Sequence, residues 1–185
     1  MVKAVFLDRD GVINEDPGDA EYVKSWGEFH FLPRVKPALK KLSEKGYKIF
    51  IISNQAGISR GLYAKEKLDL ITENMLDELR REGIDITGVY YCIHKPEDNC
   101  SCRKPMTGLI DTAISGFKES GQKIDVYGSY FIGDTIRDIE TGKNAGLKTI
   151  LVFSGKEKPQ NKNNWQVVPD FFFPDLSSAV EKEIL

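Results

Sequence analysis

An excess of positive charge is missing. The 26 basic residues face 28 acidic ones, a formal net charge of −2. That balance gives no electrostatic case for a nucleic-acid or anionic-membrane partner. Long hydrophobic runs are missing too: none reaches transmembrane length, and residues 1–11 hold no secretory hydrophobic region. The apolar residues there stop at Asp8 and read as a buried strand. A cytoplasmic location is the expectation. Cysteine is limited to Cys92, Cys100 and Cys102, all in one short segment. An odd count without a signal peptide argues against a disulfide framework. Of two histidines, His94 falls inside that segment and His30 has no companion ligands. No internal repeat or low-complexity tract occurs.

What remains is an ordinary globular chain. Hydrophobic residues make up 41% of 185, enough for a core, so one domain over 1–185 is expected. Buried strands are read at Ala4–Leu7, 48–52, Gly88–Cys92, Tyr130–Gly133 and 149–153, with a short edge strand at Val167 and Val168. Helical spacing covers 35–45, 65–82, 107–119 and Ile136–Asn144. Asp175 can cap a last helix that turns Leu176, Ala179, Val180 and Ile184 inward. This alternation predicts an α/β, Rossmann-like, doubly wound and mostly parallel sheet with helices on both faces. Residues 15–32 form a long irregular connection and therefore a suspected functional loop.

Active sites in such sheets lie beyond the carboxyl ends of strands. Asp8-Arg9-Asp10-Gly11 follows the first strand, and Asp134 follows the fourth. Close carboxylates repel and need a cation or a shared proton, and three oxygen-rich positions with open sites suit Mg²⁺. Ser53-Asn54 after the second strand can hold a phosphoryl oxygen, although Ser-Asn is also a common turn. Lys104 closes the loop after the third strand and can meet a phosphate as a point charge.

These residues together resemble the haloacid dehalogenase superfamily. Residues 6–14 are similar to its first motif, Ser53 to its second, Lys104 to its third, and Gly133-Asp134-Thr135-Ile136-Arg137-Asp138 to its acidic fourth. The closest resemblance is to the D-glycero-D-manno-heptose 1,7-bisphosphate 7-phosphatase group and the related histidinol-phosphate phosphatases. It rests on the run 53–61, which includes Asn54, Gln55 and Arg60, and on Cys92, His94, Cys100 and Cys102 leading into Arg103-Lys104-Pro105.

The resemblance implies a Mg²⁺-dependent phosphomonoester hydrolase. Asp8 would be the nucleophile that becomes an aspartyl-phosphate, and Asp10 the acid/base. Mg²⁺ would be held by Asp8, the Asp10 carbonyl and Asp134, with Asp138 behind. Ser53 and Lys104 would stabilise the phosphoryl oxygens, and Arg103 would contact the far end of the substrate. The 16–19 loop, with Asp16 and Asp19, would touch the sugar. Thr135 stands where a Lys is often found, so a positive charge is missing there. Three thiols and an imidazole form a closed structural Zn²⁺ set; the alternative is free thiols beside a turn.

No segment is long enough for a separate cap domain, so the loops 15–32, 55–64 and 93–103 would form the rim. The expected partner is a small phosphorylated sugar or related metabolite, and a monomer is expected. Heptose bisphosphate leads histidinol phosphate as substrate. A nucleic-acid 3′-phosphatase is disfavoured by the charge, and a non-enzymatic phospho-receiver by Asp10 and the zinc loop. No site is identified beyond residue 155.

Overall fold

The computed structural model describes residues 1–19, 21–119 and 121–184. Ala20, within the expected 15–32 loop, lies outside the described residues, as do Ser120 and Leu185.

The central layer is a six-stranded sheet in which every pairing is parallel. Its strands are β1 (Ala4–Leu7), β2 (Lys48–Asn54), β3 (Gly88–Cys92), β4 (Tyr130–Gly133), β5 (Lys148–Val152) and β6 (Phe171–Phe173), in the order β3-β2-β1-β4-β5-β6. Strand β1 is buried on both faces, which is why it reads as a continuous apolar run. Val5 and Leu7 point into one core, shared with α1 (Val35–Glu44), α2 (Lys65–Arg81) and α5 (Leu176–Ala179). Ala4 and Phe6 point into the other, shared with α3 (Gly108–Lys118), where Phe6 stacks on Phe50 with ring centres 5.1 Å apart. Helix α4 (Ile136–Asn144) closes against β4 and β5. A Cβ at its Gly142 would lie 2.8 Å from Phe131 Cβ, so glycine sets that approach.

The expected doubly wound architecture is therefore the observed one. One strand was misplaced. The predicted edge strand at Val167 and Val168 is a loop with Val168 exposed, and β6 instead begins at Phe171. The cause is Asp170. Its carboxylate accepts hydrogen bonds from Thr149 N and Oγ1, both 2.8 Å, and registers the following Phe residues against Ile150–Val152.

The chain steps outward from β1 to β2 and β3, then returns to the other side of β1 for β4. The order reverses between β1 and β4, and a crevice opens at the carboxyl ends of those strands. Register pairs Leu7 with both Ile51 and Ile132. Asp8, Ser53 and Asp134 thus emerge on one rim. Among the described residues, the connection 8–34 holds only a 3₁₀ turn (Trp26–Glu28), and 93–107 only another (Pro96–Asp98). Neither is a separate cap. Among the described residues no helix is long and apolar enough to cross a membrane.

Candidate active site

After β1 the backbone turns sharply: the amides of Ile13 and Asn14 both donate to Arg9 O, and Gly11 takes φ +81°. A Cβ on Gly11 would also sit 2.3 Å from Asp134 Oδ2. Glycine is needed here for its backbone angle and for the space it leaves. The turn holds Asp8 at the mouth of β1, where its Oδ1 accepts from Arg9 N at 2.7 Å.

Lys104 Nζ lies 2.7 Å from Asp8 Oδ2 and 2.6 Å from Asp138 Oδ1, and donates to Ile52 O at 3.1 Å. The side chain is buried. Burial acts to lower its pKa, but Asp138 and Asp8 outweigh that and raise it, so Lys104 is a fixed cation. Asn54 sets its place: Asn54 Oδ1 accepts from Lys104 N, and Asn54 Nδ2 donates to Lys104 O.

Asp134 and Asp138 come from the β4–α4 junction. Asp138 Oδ2 accepts from Thr135 N and Oγ1 in a reciprocal cap that starts α4. Asp134 Oδ2 accepts from Lys156 N at 2.8 Å. One carboxylate oxygen from each of Asp8, Asp134 and Asp138 lies within 4.8 Å of the others. Burial pushes Asp8 up to about 6, with Lys104 opposing and Asp138 and Asp10 adding to the rise. Asp134 is pushed well above the usual carboxylate range by burial, then by Asp138 and Asp8. Three acids against one lysine leave surplus negative charge, which a hard divalent cation would neutralise. Gly11 and Gly155 leave the Asp134 carboxylate the room it occupies in this cluster: a Cβ on Gly155 would stand 2.0 Å from Asp134 Oδ2.

Asp10 faces away from that cluster. Its carboxylate accepts from Arg9 Nε and Nη2, from Asn14 Nδ2 at 2.8 Å and from Gln55 Nε2 at 2.8 Å. Tyr63 OH donates to Gln55 Oε1, which orients the amide. Burial would raise the Asp10 pKa, yet Arg9, Asn14 and Gln55 prevail and lower it. Asp10 rests as an anion.

A cavity of about 160 Å³ opens over these groups. Of the site residues expected from sequence, it is lined by Asp8, Asp10, Asp16, Ser53, Asn54, Arg103, Lys104, Asp134, Thr135 and Asp138. Gln55 sits behind Asp10 and is fully buried. Arg60 is exposed and outside the lining. Asp19 is fully exposed, its carboxylate 3.7 Å from Lys156 Nζ. Sequence reasoning missed Arg137 and Lys156, both in the lining, and the buried Arg9 that holds Asp10. No site was identified beyond residue 155 in the sequence, and Lys156 lines this cavity.

The second cluster abuts the first. Cys92, Cys100 and Cys102 place their sulfurs 3.1–3.6 Å apart, and His94 Nδ1 lies 3.6 Å from Cys92 Sγ and 3.2 Å from Cys102 Sγ. A disulfide would need about 2.05 Å. A tetrahedron with ~2.3 Å metal–sulfur bonds has edges near 3.8 Å, close to what is seen. Burial pushes the Cys92 thiol up to about 12, with Cys102 adding to the rise, so this packing of thiols needs a cation to ionise fully. The four residues can hold a metal ion. The loop they close ties Arg103 Nη1 to His94 O at 3.1 Å and leads directly into Lys104.

A family model described as HAD-hydrolase-like matches residues 101–179. A D-glycero-beta-D-manno-heptose-1,7-bisphosphate 7-phosphatase of Haemophilus ducreyi is 40% identical over 162 residues, which cover 83% of this chain and 85% of that one. A D-glycero-D-manno-heptose-1,7-bisphosphate 7-phosphatase of Chlorobaculum tepidum is 36% identical over 99% of this chain and 94% of that one. The crystal structure of D,D-heptose 1,7-bisphosphate phosphatase from B. bronchiseptica, complexed with magnesium and phosphate, superposes with a TM-score of 0.86. It is 30% identical and covers 98% of this chain and 97% of its own.

Fold and site thus define a phosphatase of the haloacid dehalogenase class. Within that class the chain belongs to the family of D-glycero-D-manno-heptose-1,7-bisphosphate 7-phosphatases.

Proposed function

We propose that this chain hydrolyses the 7-phosphate of D-glycero-D-manno-heptose 1,7-bisphosphate through an aspartyl-phosphate on Asp8. The observation that carries the reading is the pairing of two carboxylates in opposite settings. Asp8 lies in a cation-demanding cluster beside Lys104, and Asp10, two residues on, is held apart by Arg9. One suits a nucleophile and the other a proton carrier.

Mg²⁺ would be held by Asp8, the Asp10 carbonyl and Asp134, with Asp138 supporting, and would supply charge neutralisation on the phosphoryl oxygens. An Asp8 oxygen attacks phosphorus, and the bond from phosphorus to the sugar oxygen breaks. Asp10 protonates that oxygen as it leaves. Asp10 rests as an anion, so it takes up a proton from solvent before it acts as the acid. Water then attacks phosphorus, Asp10 takes its proton, and the bond to Asp8 breaks. Lys104 and Ser53 stabilise the equatorial oxygens, while Asn54 holds Lys104 in position.

The Cys92–His94–Cys100–Cys102 set would hold structural Zn²⁺, a closed site with no open position. Arg103 would face the distal phosphate. A guanidinium suits that group better than the cationic end of histidinol phosphate. Asp16 would reach the sugar from the 15–19 segment. Arg60 and Asp19 lie outside the cavity, so a direct role for either is not part of this reading.

The test is steady-state phosphate release with Mg²⁺ from heptose 1,7-bisphosphate, histidinol phosphate and a 3′-phosphorylated oligonucleotide. The bisphosphate should show the highest kcat/KM. Asp8→Asn should cut kcat by at least about 10³ with the fold intact by circular dichroism. A preference for either other substrate would overturn the substrate assignment, and an active Asp8→Asn enzyme would overturn the nucleophile.

A further inference from the structure

Four basic side chains line the catalytic cavity, and they differ in how far their charge is already engaged. Lys104 is held beside the nucleophile by Asp8 and Asp138. Lys156 lies toward Asp16 and Asp19, at 3.9 and 3.7 Å. Arg103 gives one nitrogen to His94 O. Arg137 is exposed, and no ion pair or hydrogen bond engages its side chain among the described residues.

Arg137 stands in the first turn of α4, between the cavity-facing Thr135 and the buried Asp138. A cation at the start of a helix is opposed by the positive end of the helix dipole, so α4 gains nothing from an arginine there. A second cavity of about 400 Å³ adjoins the first, walled by Pro96, Pro105 and Met106. Arg103, Lys104 and Arg137 line both cavities, and Asp8 and Asp138 hold the Lys104 ammonium at the reacting end. The boundary between the two spaces therefore carries two guanidiniums with donors to spare. A phosphate dianion needs two such groups for full charge compensation, and guanidinium geometry matches its oxygens bidentately.

We propose that Arg137 is a specificity-determining residue which, with Arg103, grips the non-reacting phosphate of a bisphosphate substrate at the boundary between the two cavities. It supplies the positive charge missing at Thr135, two residues further along the chain and outside the Asp134–Asp138 cage. The substrate then spans from Asp8 to the cavity boundary, and its sugar lies beneath Asp16, Pro17, Glu21 and Tyr22. This assignment rests on the bisphosphate reading above, but its test does not depend on that reading.

The experiment compares wild type, Arg137→Gln and Arg137→Lys, each with Mg²⁺. For heptose 1,7-bisphosphate, Arg137→Gln should lower kcat/KM about 10- to 100-fold, mainly through KM, the loss expected for one charge-assisted contact. The ratio of kcat/KM for the bisphosphate to that for the 7-monophosphate should collapse, and Arg137→Lys should restore part of it. An unchanged ratio would overturn the proposal.

Should wild type reject the heptose substrate, the substrate reading fails by itself. Arg137 is then read from inhibition of p-nitrophenyl phosphate hydrolysis. The inhibition constant of fructose 1,6-bisphosphate should rise about tenfold in Arg137→Gln, against a much smaller change for fructose 6-phosphate. Equal changes for both, or none, would remove Arg137 from distal-anion recognition.

Discussion

Single atoms decide whether the acid cluster works, and Gly155 shows this best. A methyl group there would overlap Asp134 Oδ2 at 2.0 Å and its Cγ at 2.6 Å. The Lys156 amide that holds Asp134 is the next peptide along. Gly155→Ala must therefore move Asp134 or the 154–156 backbone. We expect the Mg²⁺ concentration for half-maximal activity to rise about 10- to 100-fold, as when a metal ligand loses its support. A metal titration checks this, and an unaltered Mg²⁺ requirement would refute it. Nothing local in the sequence marks Gly155 or Lys156, because their role comes from a contact with a residue more than twenty positions earlier. Asp8, Asp10 and Asp134 were legible because strand ends in a parallel sheet converge. Arg9 was not, since an arginine beside two aspartates reads as surface until its complete burial is seen. Arg60 shows the converse: it belongs to a matched run, yet it is exposed and outside the cavity lining.

Among the larger elements, the 92–104 loop has little core of its own. Only Cys92 in its Cys/His cluster is fully buried, and the turn Pro96–Asp98 buries nothing. Its shape depends on the four-ligand cluster and on Gly108 N donating to Ser101 O at 3.0 Å. That loop delivers Arg103 and Lys104, so its order and the reaction are coupled. We expect metal analysis to find about one zinc per chain, and removal with a chelator to lower both Tm and kcat/KM, because such sites contribute folding free energy directly. Zinc-free protein with full activity and an unchanged Tm would refute the assignment. The loop was legible because its rare residue types cluster. The edge strand β6 was not. Val167 and Val168 have the better strand propensity, but the pairing register is set by the Asp170 carboxylate on Thr149, a tertiary contact that overrides propensity.

At the scale of the molecule, alternation announced a parallel sheet, but the strand order had to come from packing, since short-range pattern does not say which side of β1 receives β4. That order puts Asp8 and Asp134 on neighbouring strands and forces three acids into one buried space. The arrangement serves binding of a cation at the expense of the metal-free fold. A carboxyl whose pKa rises on folding, as Asp8 does from 3.8 to about 6, binds more protons in the folded state than in the unfolded one. Stability is then lost as pH climbs through that interval, and the whole penalty is present above it. Asparagine at position 8 removes that penalty, and Lys104 keeps Asp138 and Ile52 O as partners. At pH 8 without metal, Asp8→Asn should melt several degrees above wild type, at about 2–4 °C per kcal/mol for a chain of this size. Near pH 3 the difference should vanish. Mg²⁺, which binds the folded state, should raise the wild-type Tm far more than that of the variant. Differential scanning calorimetry in both buffers, with and without Mg²⁺, measures all of this. A metal-free Asp8→Asn protein that melts below wild type at pH 8 would show that the acid cluster carries no such strain.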